Sequence, residues 1–264
     1  MQIDTIVTDL DDTLLNGDSN LSPYTLEIIA ETKRRGIRFI AASGRAATSM
    51  RPYVDRMNTG LPYIASNGAQ LISPGHTELF SVMFSPEQAR ELVRYFEGKG
   101  MYVQCYRGDY FYYAKSCYAN VRYSRQTGMK GQAVGDLGAF IDFSTPKVLA
   151  VADPQEVEAL YKVIRADFPD VSFAISKPHF LEAQPPGVSK GSALQKLSEI
   201  LGFVPERTMV FGDSLNDVEM LNFTPNSVAM LNARDEVKQA ARYVTDRPNT
   251  QDGLAHFVEA HVLS

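Results

Sequence analysis

MQIDTIVTDLDDTLLNG, residues 1–17, sets a short β-rich run (Ile3, Thr5, Ile6, Val7) directly before three carboxylates, Asp9, Asp11 and Asp12, with Thr13 behind them. Like charges packed at a strand end repel and resist ionising together. A fold tolerates them where a cation sits among them and the site uses the charge. Strand side chains alternate, so Asp9-Leu10-Asp11 puts both outer carboxylates on one face of an extended chain. One can then attack while its neighbour handles a proton. Taken alone, the same residues also read as an acidic turn after an edge strand, and the rest of the chain has to decide.

Outward from this run, the first third alternates strand and helix. Ser22-Pro23 is an N-cap with proline at the first helical position, and Gly36 closes that helix. Residues 37–42 read as a buried strand that stops at Ser43-Gly44-Arg45. After a second helix, residues 62–65 form a third strand ending at Ser66-Asn67-Gly68. Alternating βα units imply a parallel sheet with helices on its faces. The rhythm changes near Met83. Ser85-Pro86-Glu87-Gln88 opens a helix as a capping box, and Asp153-Pro154-Gln155-Glu156 does so again. Between and after them lie clustered strand formers at 101–106, 110–113, 147–151, 171–175 and 180–183, the last two as a hairpin. The βα pattern returns after Pro185-Pro186-Gly187, with a helix from Ser189 and strands at 208–211, 228–230 and 243–245. The expectation is one α/β domain, residues 1–82 and 185–264, interrupted by an α+β domain at residues 83–184.

The 264 residues suggest one or two domains with ample core. A composition of 44% hydrophobic and 22% charged residues is ordinary for a globular protein, and a net charge of -5 gives no support for a nucleic-acid or anionic-membrane surface. No apolar run is long enough to span a membrane, and residues 1–17 lack a signal-peptide pattern, so we expect a cytoplasmic protein. Cys105 and Cys117 form neither a disulfide framework nor a metal pair. The four histidines lack metal-ligand spacing and read as structural or solvated. Tyr102, Tyr106, Tyr110, Phe111, Tyr112, Tyr113, Tyr118 and Tyr123 are either a stacking surface for a planar ligand or simply strand formers and core.

In open parallel sheets, ligands sit at the carboxyl ends of strands. Four polar clusters fall at or beside such ends: Asp9/Asp11, Ser43-Gly44-Arg45, Ser189-Lys190-Gly191 and Asp213-Ser214-Leu215-Asn216-Asp217. Singly, Lys190 reads as a solvated first-turn lysine, Ser43 as an N-cap, and Asp213 to Asp217 as an Asx turn. Their shared order and strand-end placement argue for one site.

These motifs resemble the haloacid dehalogenase (HAD) superfamily: Asp9-Leu10-Asp11-Asp12-Thr13 as DxDxT, Ser43 and Lys190 as the second and third motifs, and Gly212-Asp213-Ser214-Leu215-Asn216-Asp217 as GDxxND. Ser66-Asn67-Gly68-Ala69 and Gly187-Val188-Ser189-Lys190-Gly191 resemble the Cof-type phosphatases with a type C2B cap. The resemblance implies a Rossmann-like HAD core with the insertion as cap, and a Mg²⁺-dependent phosphatase acting on a small phosphorylated metabolite. Catalysis would fall to Asp9 as nucleophile, Asp11 as general acid/base, and Ser43 and Lys190 on the phosphoryl oxygens. The Gly44 amide, Arg45 and Asn216 would touch substrate, although Arg45 equally reads as half of a structural salt bridge. Mg²⁺ would be held by Asp9, the Asp11 carbonyl and Asp213, with Asp217 behind its waters. Asp12, where many members carry glycine, reads as a turn residue. A monomer or weak homodimer is expected. A phosphotransferase or mutase on the same scaffold, or a non-catalytic regulatory module, are the alternatives.

Overall fold

A computed structural model describes residues 2–264. Among the described residues the strands form three sheets, and the chain divides into two compact units. The first comprises residues through Gly44, Met50–Phe80 and Ser189–Ser264; the second comprises Arg45–Ser49 and Ser81–Val188.

The first unit begins with β1 (Thr5–Thr8), α1 (Pro23–Arg34) and β2 (Arg38–Ala41). α1 starts where the sequence requires, with the Ser22 hydroxyl accepting the Thr25 N–H at 3.0 Å and Pro23 at the first turn. After α2 (Ala47–Met57), β3 (Tyr63–Ala65) pairs antiparallel with β4 (Gln70–Ile72), and β5 (Glu78–Ser81) completes a three-stranded sheet. Here the βα rhythm breaks: β3 meets the parallel sheet only through one bridge, Ala42 with Ile64. The cause is local, because the turn at residues 66–68 reverses the chain before a helix can begin.

The second unit carries a six-stranded sheet. Its elements in chain order are α3 (Pro86–Gly98), β6 (Tyr102–Arg107), β7 (Tyr110–Tyr113), α4 (Tyr118–Thr127), β8 (Lys130–Ala133), α5 (Leu137–Phe140), β9 (Val148–Val151), α6 (Pro154–Asp167), β10 (Ser172–Lys177) and β11 (Phe180–Gln184). The strand order is β10-β11-β9-β6-β7-β8, antiparallel except for β7 with β8. That parallel pair, bridged by α4, is a βαβ crossover the sequence did not announce. α4 reads polar (Tyr118-Ala-Asn-Val-Arg-Tyr-Ser-Arg-Gln-Thr127), and β8 (Lys130-Gly-Gln-Ala133) is poor in strand formers. β9 alternates as a strand should: Val148 and Ala150 pack among Phe84, Leu92, Val93 and Phe96, while Leu149 packs with Tyr106, Phe111 and Tyr123. The Leu149 face also buries an ion pair, Lys147 to Glu182 at 2.9 Å.

Among the clustered aromatics, Tyr106, Phe111, Tyr113 and Tyr123 are core, with the Tyr106 hydroxyl donating to that of Tyr123 at 2.9 Å. Tyr110 and Tyr118 are exposed. Tyr106→Ala should therefore destabilise by about 3 kcal/mol, the range for a large buried aromatic. Tyr110→Ala should cost less than about 1 kcal/mol. Urea midpoints of the two variants decide this, and equal losses would contradict the packing.

The chain then returns to the first unit through α7 (Lys190–Leu201), β12 (Thr208–Gly212), α8 (Val218–Leu221), β13 (Ser227–Ala229), α9 (Asp235–Ala240), β14 (Tyr243–Val244) and α10 (Gly253–Val258). The main sheet has the order β14-β13-β12-β1-β2, and every pair is parallel. Ile6, Val7, Phe39, Ile40, Met209, Val210 and Phe211 are buried, the near-continuous apolar reading of strands covered on both faces. In this order β1 lies between β2, which follows it in the chain, and β12, which arrives from the far end. That is a topological switch point, where open α/β sheets place their ligand sites.

Candidate active site

β1 and β12 pair in register, with Thr8 opposite Phe211, so the residues just beyond their ends, Asp9 and Asp213, emerge side by side. The Asp9 N–H donates to the Phe211 carbonyl at 3.1 Å, the last rung before the chains part. From there residues 10–14 wind into a tight loop. Asp11 is extended, at φ −69 and ψ 130, and Asp12 takes a left-handed turn at φ 57, as its reading as a turn residue anticipates. Thr13 folds back under the site, its hydroxyl donating to Asp213 Oδ1 at 2.9 Å.

Beyond β12, Asp217 organises the second loop. Its Oδ2 accepts the N–H groups of Asp213 and Ser214, both at 3.0 Å. This needs Gly212: a Cβ there would lie 2.5 Å from the Asp217 Cβ. The other oxygen, Oδ1, accepts from Lys190 Nζ at 2.6 Å. Lys190 is the first residue of α7, which Ser189 caps by accepting the Ser192 N–H at 3.0 Å. Far from being solvated, the lysine is buried and also donates to Asp9 Oδ1 at 2.6 Å.

Asp9, Asp213 and Asp217 each offer an oxygen within 4.8 Å of the others. Asp11 is half-buried, its carboxylate outside this trio but close enough to add to the field at Asp9. Ser43 is buried after β2, held by its N–H to Ile64 O at 2.9 Å and its carbonyl to Asn67 N at 3.0 Å. Gly44 closes that segment. Arg45 groups instead with the second unit, donating to Ser49 Oγ at 3.2 Å and to the Gln126 carbonyl at 3.5 Å. Asn216 is half-buried and donates to Asn67 Oδ1 at 2.8 Å. The histidines take structural partners, such as Tyr63 and Asp55 for His76.

Residues unremarked in the sequence brace the loop that follows Asp9. Asn232 Nδ2 donates to the Asp12 carbonyl at 2.8 Å. Asn249 donates its backbone N–H to Asn232 Oδ1 at 2.9 Å and its side-chain amide to Leu15 O at 2.9 Å. Thr13 was visible within the acidic motif. The two asparagines lie in loops more than two hundred residues away, where no local pattern marks them.

The electrostatics explain what the cluster wants. Burial pushes the Asp9 carboxyl well up; Lys190 opposes this, while Asp217, Asp213 and Asp11 reinforce it. Burial alone would lower Lys190, but Asp217 and Asp9 hold it above its usual range. For Asp213, burial and then Asp217 push the carboxyl from 3.8 up to about 7, against the hydrogen bonds from Thr13 and Ser214. One lysine does not balance three buried carboxylates. The donors are all hard oxygens, the set that suits Mg²⁺ rather than a thiolate-loving metal.

A carboxyl raised in the folded state binds more protons folded than unfolded between about pH 4 and pH 7. Metal-free protein should thus lose stability as pH climbs through that window. In chelator at pH 8, Asp213→Asn should be more stable than wild type by on the order of 2 kcal/mol. The gap should close toward pH 4. A variant that melts lower at pH 8 would show that the Asp213 charge is not a liability.

The haloacid dehalogenase-like hydrolase family matches residues 6–258. The chain is 29% identical to the Bacillus subtilis 5-amino-6-(5-phospho-D-ribitylamino)uracil phosphatase YitU, over 97% of this chain and 96% of that one. A haloacid dehalogenase-like hydrolase from Bacteroides thetaiotaomicron superposes with a TM-score of 0.86 at 26% identity, covering 98% of this chain and 99% of that one. The HAD subclass IIB sugar phosphatase BT4131 shares the fold alone, at 21% identity and a TM-score of 0.83 over 97% and 98% of the two chains. With its acidic strand end, buried lysine and doubly anchored Asp217 now set beside those relatives, the chain belongs to the haloacid dehalogenase-like hydrolases, in their Cof-type branch.

Proposed function

We propose that this protein is a phosphatase that hydrolyses small phosphate monoesters through an aspartyl-phosphate on Asp9. The observation that carries the reading is the buried Asp9 carboxylate at the switch point, bonded to Lys190 and flanked by Asp213 and Asp217. Asp9 attacks phosphorus, and the P–O bond to the leaving alcohol breaks as the Asp9–P bond forms. Asp11 gives its proton to that alcohol, then takes one from the water that cleaves the acyl phosphate. Lys190 offsets charge on the equatorial oxygens, with the Ser43 hydroxyl and Gly44 N–H as further donors. Asn216 is a candidate substrate contact. Arg45 remains one too, its guanidinium now seen bonded to Ser49 and Gln126.

The donor set fits Mg²⁺, which Asp9, Asp213 and the Asp11 carbonyl would hold, with Asp217 as a partner of its waters. That role suits Asp217, whose two oxygens are already engaged by Lys190 and two backbone amides. When bound, the cation neutralises Asp9 so that an anionic ester can approach. The interrupting segment, residues 83–184, is proposed as a cap that sets which ester is accepted. Among the described residues no helix is long and apolar enough to cross a membrane.

The test is phosphate release from a panel of sugar, polyol and cofactor phosphates, with and without Mg²⁺. The ribitylamino-uracil phosphate in the name of the B. subtilis relative belongs in it. Mg²⁺-dependent release without any acceptor sugar is expected. Turnover only when an acceptor sugar is added would favour a phosphotransferase. No turnover at all would leave a binding module.

A further inference from the structure

We infer that Asn67, outside all four motifs, is a positioning residue that orients Asn216 at the phosphate-binding end of the sheet; this rests on the phosphatase reading. Ser66, Asn67 and Gly68 take φ values of 53, 54 and 100, three consecutive residues in left-handed backbone. For residues other than glycine that conformation costs about 1–2 kcal/mol each. Such local strain persists only where the surroundings enforce it, and it clusters at functional sites.

The surroundings here are the three other strand-end segments. The Asn67 N–H donates to the Ser43 carbonyl at 3.0 Å. Its side chain lies against Gly44, where a Cβ would fall 2.9 Å from Asn67 Oδ1. That same oxygen accepts from Asn216 Nδ2 at 2.8 Å. One residue on, a Cβ at Gly68 would sit 2.1 Å from the Ser189 carbonyl, so the turn abuts the residue that precedes Lys190. Asn67 itself is 2% exposed.

The orphan at Asn216 points to a ligand. With Nδ2 committed to Asn67, Asn216 Oδ1 is buried, and no donor among the described residues reaches it. An unsatisfied buried acceptor costs about 1–3 kcal/mol. A protonated phosphate, or a water arriving with it, supplies the missing donor. Asn67 thus selects which end of the Asn216 amide is presented.

Asn67→Gly isolates this role. Glycine accepts the left-handed backbone and keeps the N–H to Ser43, so only the amide is lost. Inorganic phosphate binding to the Mg²⁺-supplemented full chain is the first readout. N67G should raise the phosphate Kd about tenfold, with its melting temperature close to wild type. In turnover the loss should fall on KM rather than kcat. Asn67→Ser, too short to reach Asn216, should behave alike. In an Asn216→Ala background, N67G should add less than about twofold if the two amides act together. Unchanged phosphate affinity in N67G and N67S, or additive effects in the double variant, overturns the inference alone. A wild type that neither binds nor releases phosphate overturns the phosphatase reading and this inference with it.

Discussion

Asp9→Asn should abolish turnover while the protein stays folded. The amide keeps the shape of the carboxylate but is not a competent nucleophile, and no neighbour takes over covalent attack. Enzymes of this kind accelerate their reactions by ~10⁶ or more, so a loss of at least about 10⁴ is expected. The fold should survive because Lys190 keeps its second partner, Asp217, at 2.6 Å. Acid-quenched wild type supplied with a ³²P-labelled ester should carry label on the protein, and the variant should carry none. Wild-type-like phosphate release by folded Asp9→Asn would remove Asp9 as nucleophile.

Lys190→Met should harm stability and activity together. The methionine fills the volume but leaves Asp9 and Asp217 buried without their shared cation. Breaking a buried ion pair from one side costs about 3–5 kcal/mol. In wild type the lysine is charged in both states below about pH 10, the ordinary lysine value. Its folded-state pKa is raised above that, so its contribution is lost only at higher pH, as pH rises through the raised value. The deficit of the variant should instead shrink as pH falls, since protonation of the buried Asp9, whose carboxyl is already pushed up, removes an unpaired charge. Phosphate release should drop by about 10²–10³, the range for losing one charge-stabilising donor. Chelator melts at pH 5 and pH 8, beside a turnover assay, measure both effects. A variant as stable as wild type at pH 8 would mean that the carboxylates do not need their cation.

Much of this was legible in the chain because its signals are local. Ser22-Pro23 and the Ser85/Gln88 box fix helix starts by hydrogen bonds within four residues, and the structure shows both. The acidic strand end and the Gly212–Asp217 turn are likewise short-range chemistry, so their residues could be named in advance. What escaped was non-local. The parallel pairing of β7 with β8 depends on a crossover through a polar helix. Lys190 taken singly reads as a surface lysine and is singled out only through its place among the other clusters and the family resemblance, because its burial is imposed by Asp9 and Asp217, which lie 181 and 27 residues away. Asn232 and Asn249 brace a loop they never approach in sequence.

The pairing of β1 with β12 has a consequence for how the protein is made. Thr5 meets Thr208 across the centre of the main sheet. At a synthesis rate of ~5–20 residues per second, roughly two hundred residues separate the two strands by about 10–40 s. During that interval Ile6 and Val7 emerge without the neighbour that buries one edge of their strand, an exposed template for wrong pairing. All strands of the six-stranded sheet leave the ribosome before Thr208 does. The half-made enzyme is therefore a nascent chain with a completed interior segment and an open first strand. Its exposure to chaperones and to aggregation is set by the whole length of chain between the two strands, the insertion included, rather than by anything at the catalytic centre.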